Sequence, residues 1–295
     1  MNAGVSEFVR TRLGRGSQTV NGVGAKGDFL RLDAAPAVGA DVADLPPFRL
    51  LAWMEGRKKR PAEGQTPFDA EAVLAKVRGY LGHEDWRIRN VGVKLVGLIG
   101  YRETLPILLA MLRDRTPDTF LRRLFGGDFR QVGFIRRNIL KVIGDLGFYD
   151  PEVRAALVGA LKDPYYEVRS CAATTVRRLS DRVEADPEVV EVLLGCLGDP
   201  SVEVVIEATL ALGRVGGEGV TRAVLGLYAH RNWRVREAAL QTTCDLIARR
   251  ALCDPGVVER ALDSLMIPCP SFKPNFPLRG TLRDLAQALN RLKGR

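Results

Sequence analysis

The amino-acid sequence predicts an all-α fold, an α-solenoid of about six stacked helical hairpins. From about Asp69 onward, apolar residues recur at helical spacing in segments separated by short breaks, and no segment shows the alternation of a strand. Many of these breaks contain Asp-Pro, in which the Asp can accept hydrogen bonds from a helix start and the Pro loses no helical bond. The dipeptides begin at Asp150, Asp163, Asp186, Asp199 and Asp254. The third observation is an internal repeat, which sets the size of the unit.

The repeat is clearest in the stretches HEDWRIR and HRNWRVR, which begin at the only two histidines, His83 and His230. Related stretches align on a register arginine, with a turn residue six positions earlier and a bulky residue three positions earlier. The register residues are His83, Trp86, Arg89, Arg136, Asp163, Tyr166, Arg169, Asp199, His230, Trp233 and Arg236. Consecutive register arginines, or Val205 in their place, lie 47, 33, 36 and 31 residues apart, the length of a two-helix repeat. Because one hairpin cannot bury its apolar face alone, the hairpins are predicted to stack.

Three segments are predicted along the chain. Residues 1–47, with seven glycines and few large apolar residues, are predicted to be a flexible or extended leader. Residues 48–68 are predicted to form a short amphipathic helix and a linker, and residues 69–295 the solenoid with a C-terminal capping helix. The predicted helix pairs span about 69–100, 103–147 with an insertion, 150–181, 186–215, 217–250 and 254 to the end. One face of the last helix carries Leu282, Leu285, Leu289 and Leu292.

The register pattern resembles the HEAT-repeat family, in the form with short units seen in bacterial HEAT-like proteins, over about residues 69–266. The turn Asp and the Val-Arg pair of the family are present at Asp163, Val168 and Arg169. Histidine replaces the Asp at His83 and His230, and Val205 replaces the arginine in another unit. The resemblance implies an α-solenoid and leaves the function open, because this architecture carries many unrelated roles.

The formal net charge of +9 is concentrated in two segments. Residues 113–141 hold eight basic residues against three acidic ones, and residues 273–295 hold six against one. The first segment interleaves its basic residues with phenylalanines and is the main candidate for partner binding, with a solvated basic face as the alternative. Its candidate residues are Arg113, Arg115, Arg122, Arg123, Arg130, Arg137 and Lys141. A weaker candidate is the run that follows the amphipathic helix, Arg57, Lys58, Lys59 and Arg60.

Composition predicts a cytoplasmic protein without a cofactor. The charged N-terminus does not fit a signal peptide, and no window approaches the 18 uninterrupted apolar residues of a membrane span. The five cysteines contain no C-x-x-C pair and are interpreted as core residues. Aromatic residues make up only 7% of the chain, which does not favour an aromatic-lined cofactor pocket.

Catalytic interpretations are weaker than a structural one. His83 and His230 lie about four repeats apart, at roughly 10 Å per repeat, so they cannot share a metal ion. The HEAT-like deoxyhypusine hydroxylases bind two irons through several His-Glu pairs, whereas His83-Glu84 is the only such pair here. The HEAT-like alkylpurine DNA glycosylases use tryptophans beside a carboxylate, but Trp86 and Trp233 occupy register positions where packing against a neighbouring turn accounts for them. A third interpretation, a bilin-lyase-like or other enzyme subunit, is supported only by the repeats, because HEAT-like repeats occur in those lyases.

The sequence therefore predicts a non-catalytic scaffold or adaptor that binds a protein, favourably one with an acidic surface, along the inner face of the solenoid. The alternative is nucleic-acid binding, including a glycosylase-like activity. Second helices are expected to line the inner face, which assigns the candidate surface to residues 87–99, 134–146, 167–179, 203–214 and 234–247.

Overall fold

The computed structural model describes residues 42–59, 69–113, 129–183, 186–265 and 278–294, without the side chains of 43 and 129–132. All regular structure in these ranges is helical, which confirms the predicted fold class. The helices are α1 (Pro47–Lys58), α2 (Ala70–Leu81), α3 (Trp86–Ile99), α4 (Leu105–Arg113), α5 (Phe129–Leu146), α6 (Pro151–Leu161), α7 (Tyr166–Arg178), α8 (Ser180–Val183), α9 (Pro187–Gly195), α10 (Val202–Val215), α11 (Thr221–Gly226), α12 (Trp233–Ala248), α13 (Pro255–Leu262) and α14 (Arg279–Lys293). Short 3₁₀ turns lie between several of them.

Within these ranges the helices form six successive pairs: α2 with α3, α4 with α5, α6 with α7, α9 with α10, α11 with α12, and α13 with α14. The second helices of the pairs pack against one another in the order α3, α5, α7, α10, α12 and α14, and so form one layer. First helices pack beside one another on the other side of the pairs, for example α6 between α4 and α9. Residues that follow each register arginine therefore lie on one continuous layer of helices.

The core runs along the whole stack because both helix layers contribute buried aliphatic residues to it. Val168, Ala172 and Val176 line the buried side of α7, and Leu157 and Leu161 approach them from α6. Burial of one such large aliphatic side chain contributes about 1.5–3 kcal/mol. Glycine permits the closest contact between second helices. A Cβ atom on Gly97 of α3 would lie 2.8 Å from Val142 of α5.

The Asp-Pro dipeptides fall into two structural classes. Asp150, Asp186 and Asp254 cap α6, α9 and α13, with proline as the first helical residue, as predicted. Asp163 and Asp199 do not start helices, which corrects the prediction, because α7 and α10 begin two residues after Pro164 and Pro200. Their carboxylates instead accept backbone N–H groups within the hairpin turns and bind arginines of the preceding hairpin.

Amphipathic helices lie at both ends of the stack. Helix α1 packs against α3 through Leu50, Leu51 and Met54, whereas Phe48 is 46% exposed. Helix α14 packs against α12 and α13 and buries Leu285 and Leu289. These contacts cover apolar surface of α3 and α12 that would otherwise be exposed to water.

The cysteines lie in three different environments. Cys171 and Cys196 are buried, Cys244 is half-buried and Cys253 is exposed. Burial raises the pKa of Cys196 to about 11, so its thiol is protonated at neutral pH. The expected packing role therefore fits Cys171 and Cys196 best. Cys269 lies outside the described residues.

Candidate partner-binding face

Two register arginines, Arg136 and Arg169, connect their hairpins to the next one. Arg136 of α5 forms a bidentate salt bridge with Asp163, in which Nε donates to Oδ2 at 2.9 Å and Nη2 donates to Oδ1 at 3.0 Å. Arg169 of α7 binds Asp199 in the same way at 2.7 and 2.9 Å, and its Nη1 donates to the carbonyl oxygen of Asp163 at 2.7 Å. Arg136 and Asp163 are only 3% and 4% exposed. These side chains hold the repeats in register and leave little surface for a ligand.

The two histidines stabilise their own turns. Nδ1 of His83 accepts the backbone N–H of Asp85 at 2.9 Å, and Nδ1 of His230 accepts that of Asn232 at 3.0 Å. Their carbonyl oxygens accept Nη1 of Arg89 and Arg236 at 2.7 and 2.6 Å. In the described part of the chain, no group of three or more His, Cys, Asp or Glu residues could hold a metal ion.

The arginine–aspartate series is interrupted after α10. Val205 occupies the register position there and is 2% exposed, so no guanidinium extends to the next turn, where His230 stands in place of an aspartate. Arg236 follows on α12 and is 4% exposed, with its Nε buried and without a hydrogen-bond partner in the described structure. Burial lowers the pKa of Arg236. The loss of the arginine thus coincides with the loss of the aspartate that it would bind.

The register aromatics differ in exposure. Trp86 is half-buried against the core, and the Arg87 guanidinium lies 5.6 Å from its ring. Tyr166 and Trp233, at the first positions of α7 and α12, are 45% and 41% exposed. The neighbouring turns therefore cover Trp86 more fully than the other two, which present aromatic surface at one edge of the second-helix layer.

The predicted basic residues lie in several places. Arg137 and Lys141 lie on α5 in the second-helix layer, whereas Arg113 ends α4 and lines an open pocket of about 230 Å³ beside Arg136 and Asp163. At the end of α1, Arg57 lies 5.4 Å from the Trp53 ring, and Lys58 and Lys59 are exposed. Arg130 lies on α5 with an undescribed side chain. Arg60, Arg115, Arg122 and Arg123 lie outside the described residues.

Two neighbouring second helices, α3 and α5, contain more basic than acidic residues, although Arg136 of α5 is paired with Asp163. Helix α3 has three basic residues and no acidic one, and α5 has four basic residues and only Asp145. Asp145 accepts a 2.6 Å hydrogen bond from Arg178 of α7, so its negative charge is shared with a cation outside α5. Lys94 and Lys141 are exposed and form no ion pair with a described residue. We call Lys94 of α3 together with Lys141 and the partly exposed Arg137 of α5 the basic face.

Positions one and five residues after each register position form a stripe along the second-helix layer. The stripe residues are Asn90, Lys94, Arg137, Lys141, Ser170, Thr174, Ile206, Leu210, Glu237 and Gln241. Asn138 Nδ2 donates to Asn90 Oδ1 at 2.7 Å, which places equivalent segments of α3 and α5 side by side. The stripe changes from basic on α5 to small hydroxyl residues on α7 and apolar residues on α10. The second-helix ranges predicted from the sequence contain all ten residues, but only Arg137 and Lys141 are named there as candidates; adding one and five to each register number identifies the whole stripe.

An open groove of about 270 Å³ lies across α7 on this stripe. It is lined by Arg137, Lys141, Tyr166, Glu167, Ser170, Cys171, Thr174, Thr175, Arg178 and Glu203. The Arg137 guanidinium lies 4.5 Å from the Phe134 ring, and its Nε is buried with no hydrogen-bond partner in the part of the chain described. Arg137, Lys141 and the ion-paired Arg178 thus line a groove that also contains Glu167 and, on the α10 side, Glu203.

Alternating charges connect the second helices beyond this groove. Glu207 of α10 accepts Arg177 Nη2 at 3.2 Å and Thr174 Oγ1 at 2.9 Å from α7. Arg234 of α12 lies 3.8 Å from Glu203 of α10. Burial raises the pKa of Asp245 on α12, against the opposing influence of Arg214, Arg249 and Arg177. Positive charge is therefore largely compensated on α10 and α12, in contrast to α3 and α5.

Part of the chain is similar to a known protein family. The family model of HEAT repeats matches residues 184–243, which include α9, α10 and α11, so the chain contains HEAT repeats. A chain in the solved complex of CpcE and CpcF of phycocyanin lyase from Nostoc sp. PCC7120 is similar over 80% of this chain and 98% of its own length, with 22% identity and a TM-score of 0.46. A search of curated proteins found no match. No helix among the described residues is long and apolar enough to cross a bilayer.

Proposed function

We propose that this protein is a non-catalytic scaffold or adaptor that binds a partner protein with an acidic surface through its second-helix layer. The observation that carries the proposal is the basic face, where cations on the adjacent helices α3 and α5 form no ion pair with a carboxylate in the described part of the chain. Exposed like charges held on adjacent rigid helices raise the local potential and attract an acidic partner.

The acidic residues on the same layer favour a protein over a nucleic acid. Glu203 lines the groove beside the basic face, and Glu237 lies on α12. A phosphate backbone that followed the layer beyond α7 would meet these carboxylates, whereas a protein surface can present both signs of charge. The basic face alone could hold phosphates, so nucleic-acid binding is the alternative that the experiment must separate.

Affinity capture from a native extract, with and without nuclease, tests the proposal. The full chain is compared with the triple variant Lys94→Glu, Arg137→Glu and Lys141→Glu. A control variant, Lys162→Glu, Arg222→Glu and Arg260→Glu, makes the same charge change at exposed positions of the first-helix layer. Circular dichroism confirms that all three proteins are folded.

A protein that survives nuclease, is retained by the control variant and is lost from the triple variant is the expected result. Recovery of nucleic acid, with binding that collapses on nuclease treatment and falls steeply with salt, would favour the alternative. Equal recovery of the partner by the triple and control variants would show that the basic face is not the binding surface.

A further inference from the structure

We infer that the groove on α7 binds an extended segment of the partner protein, with acidic residues over α5 and large apolar residues over α10. This inference rests on the proposed function and specifies which chemistry the partner presents. It follows from the order in which basic, small and apolar side chains succeed one another along the stripe.

The groove exists because short side chains lie between long ones. Ser170 and Thr174 form its floor on α7, and Arg137 and Lys141 stand beside them on α5. On the other side, Ile206 and Leu210 occupy the equivalent positions of α10 and are both partly exposed. In the groove itself α10 contributes Glu203, and Ile206 and Leu210 lie beyond the groove lining. A segment that crosses the floor therefore leaves the cationic wall, passes Glu203 and reaches the aliphatic surface of Ile206 and Leu210, which we call the apolar wall.

The apolar wall is favourable for a hydrophobic side chain of the partner. Ile206 and Leu210 lie one turn apart on α10, so they present adjacent aliphatic surface. An apolar side chain of the partner that packs on this surface removes aliphatic area from water on both sides, which favours binding. A polyphosphate chain gains nothing at this wall and is repelled by Glu203, which lines the same groove. The combination fits an acidic and apolar polypeptide.

The size of the groove selects an extended segment over a helix. A helix with its side chains is about 10–12 Å wide, whereas the groove encloses about 270 Å³, room for only a few side chains. Adjacent packed helices lie about 8–10 Å apart, so α5 and α10 are separated by roughly 20 Å across α7. An extended chain covers this distance in about six residues, at roughly 3.3 Å each.

Polar groups along the path can bind the backbone of an extended segment. The Arg137 guanidinium and the Lys141 ammonium group provide donors on the cationic wall. Glu203 provides an acceptor on the opposite wall. A donor on one wall and an acceptor on the other match the alternating C=O and N–H groups that an extended chain leaves unpaired.

The test uses fluorescein-labelled synthetic peptides and the full chain in a fluorescence anisotropy titration. Two 12-residue peptides have an ordered sequence, with two glutamates near one end and two leucines near the other, separated by about six glycine, serine and threonine residues. One of them has the glutamates near its N-terminus, and the other has them near its C-terminus. A control peptide has the same composition with the glutamates and leucines interleaved. The expected result is a Kd at least about tenfold lower for one ordered peptide than for the control peptide.

Variants locate the binding. Arg137→Glu with Lys141→Glu, Leu210→Glu, and Ser170→Phe, which fills the floor, should each raise the Kd of the ordered peptide to that of the interleaved one. The exposed pair Lys162→Glu with Arg222→Glu should leave the preference unchanged. Circular dichroism and thermal unfolding verify that each variant is folded.

Equal affinity for ordered and interleaved peptides would overturn the inference, as would no measurable binding of any of them. Neither result affects the proposed function, which is decided by whether the captured partner depends on the basic face. An ordered preference that survives both Leu210→Glu and Ser170→Phe would place the site elsewhere and would also overturn it.

Discussion

Substitution of Asp163 by alanine should reduce the free energy of unfolding by about 3–5 kcal/mol, because it leaves a buried guanidinium without its carboxylate. Asp163 accepts two bonds from Arg136 and the backbone N–H of Tyr165 at 2.9 Å. Because Arg136 is 3% exposed, water cannot replace the lost bonds without opening the contact between successive hairpins.

Asp145→Ala is the matched control. It removes the carboxylate that accepts Arg178, but the two side chains are 53% and 48% exposed, and such a pair contributes about 0–1 kcal/mol. A third variant, Arg136→Met with Asp163→Ala, removes both charges and should recover much of the stability lost by Asp163→Ala.

Urea denaturation followed by far-UV circular dichroism measures the three free energies. The account requires a large loss for Asp163→Ala, a small loss for Asp145→Ala and partial recovery in the double variant. Similar losses for the two single variants would refute it. A double variant that is less stable than Asp163→Ala would also refute it, because the unpaired Arg136 guanidinium could then not be the cause of the loss.

Three further predictions concern the turns between helices. Hydrogen bonds from Arg154 and, less strongly, from the Tyr149 hydroxyl lower the pKa of Asp186 from 3.8 to about 2. The carboxylate therefore stabilises the fold above about pH 4, and this contribution is lost as the pH falls toward 2. Asp186→Asn should flatten the pH dependence of the free energy of unfolding between these values, as measured by urea denaturation. Val205→Arg alone should destabilise by several kcal/mol by burying an unpaired charge, and added His230→Asp should regain part of it in a double-mutant cycle; additive losses would mean that no pair forms. Gly100→Ala should cost about 1 kcal/mol in thermal unfolding because Gly100 has φ +82°, and an unchanged Tm would contradict this.

The fold followed from sequence because its determinants are local and repeated. Helical periodicity, the register arginines and the spacing between them predicted the helix pairs that the structure contains. The Asp-Pro signal was only partly sufficient. A helix cap and a hairpin turn both place an aspartate before a proline, and the difference depends on an arginine 27 residues away for Asp163 and 30 residues away for Asp199.

The candidate site was less accessible because it depends on which side chains meet across helices. The net charge of residues 113–141 pointed to Arg137 and Lys141, yet the same count grouped them with Arg113, which lies on a first helix. Ser170 carries no signal by itself. It defines a groove floor only once Arg137 and Ile206 are known to flank it on neighbouring helices.

Hydrogen–deuterium exchange of the full chain, with and without the captured partner, tests the central claim most directly. Mass spectrometry of the peptides then reports protection element by element. The account predicts that protection is greatest in α5, α7 and α10, with smaller changes in the first helices α6 and α9. Protection confined to first helices, or no change in α5 and α7, would contradict the assignment of the second-helix layer as the binding surface.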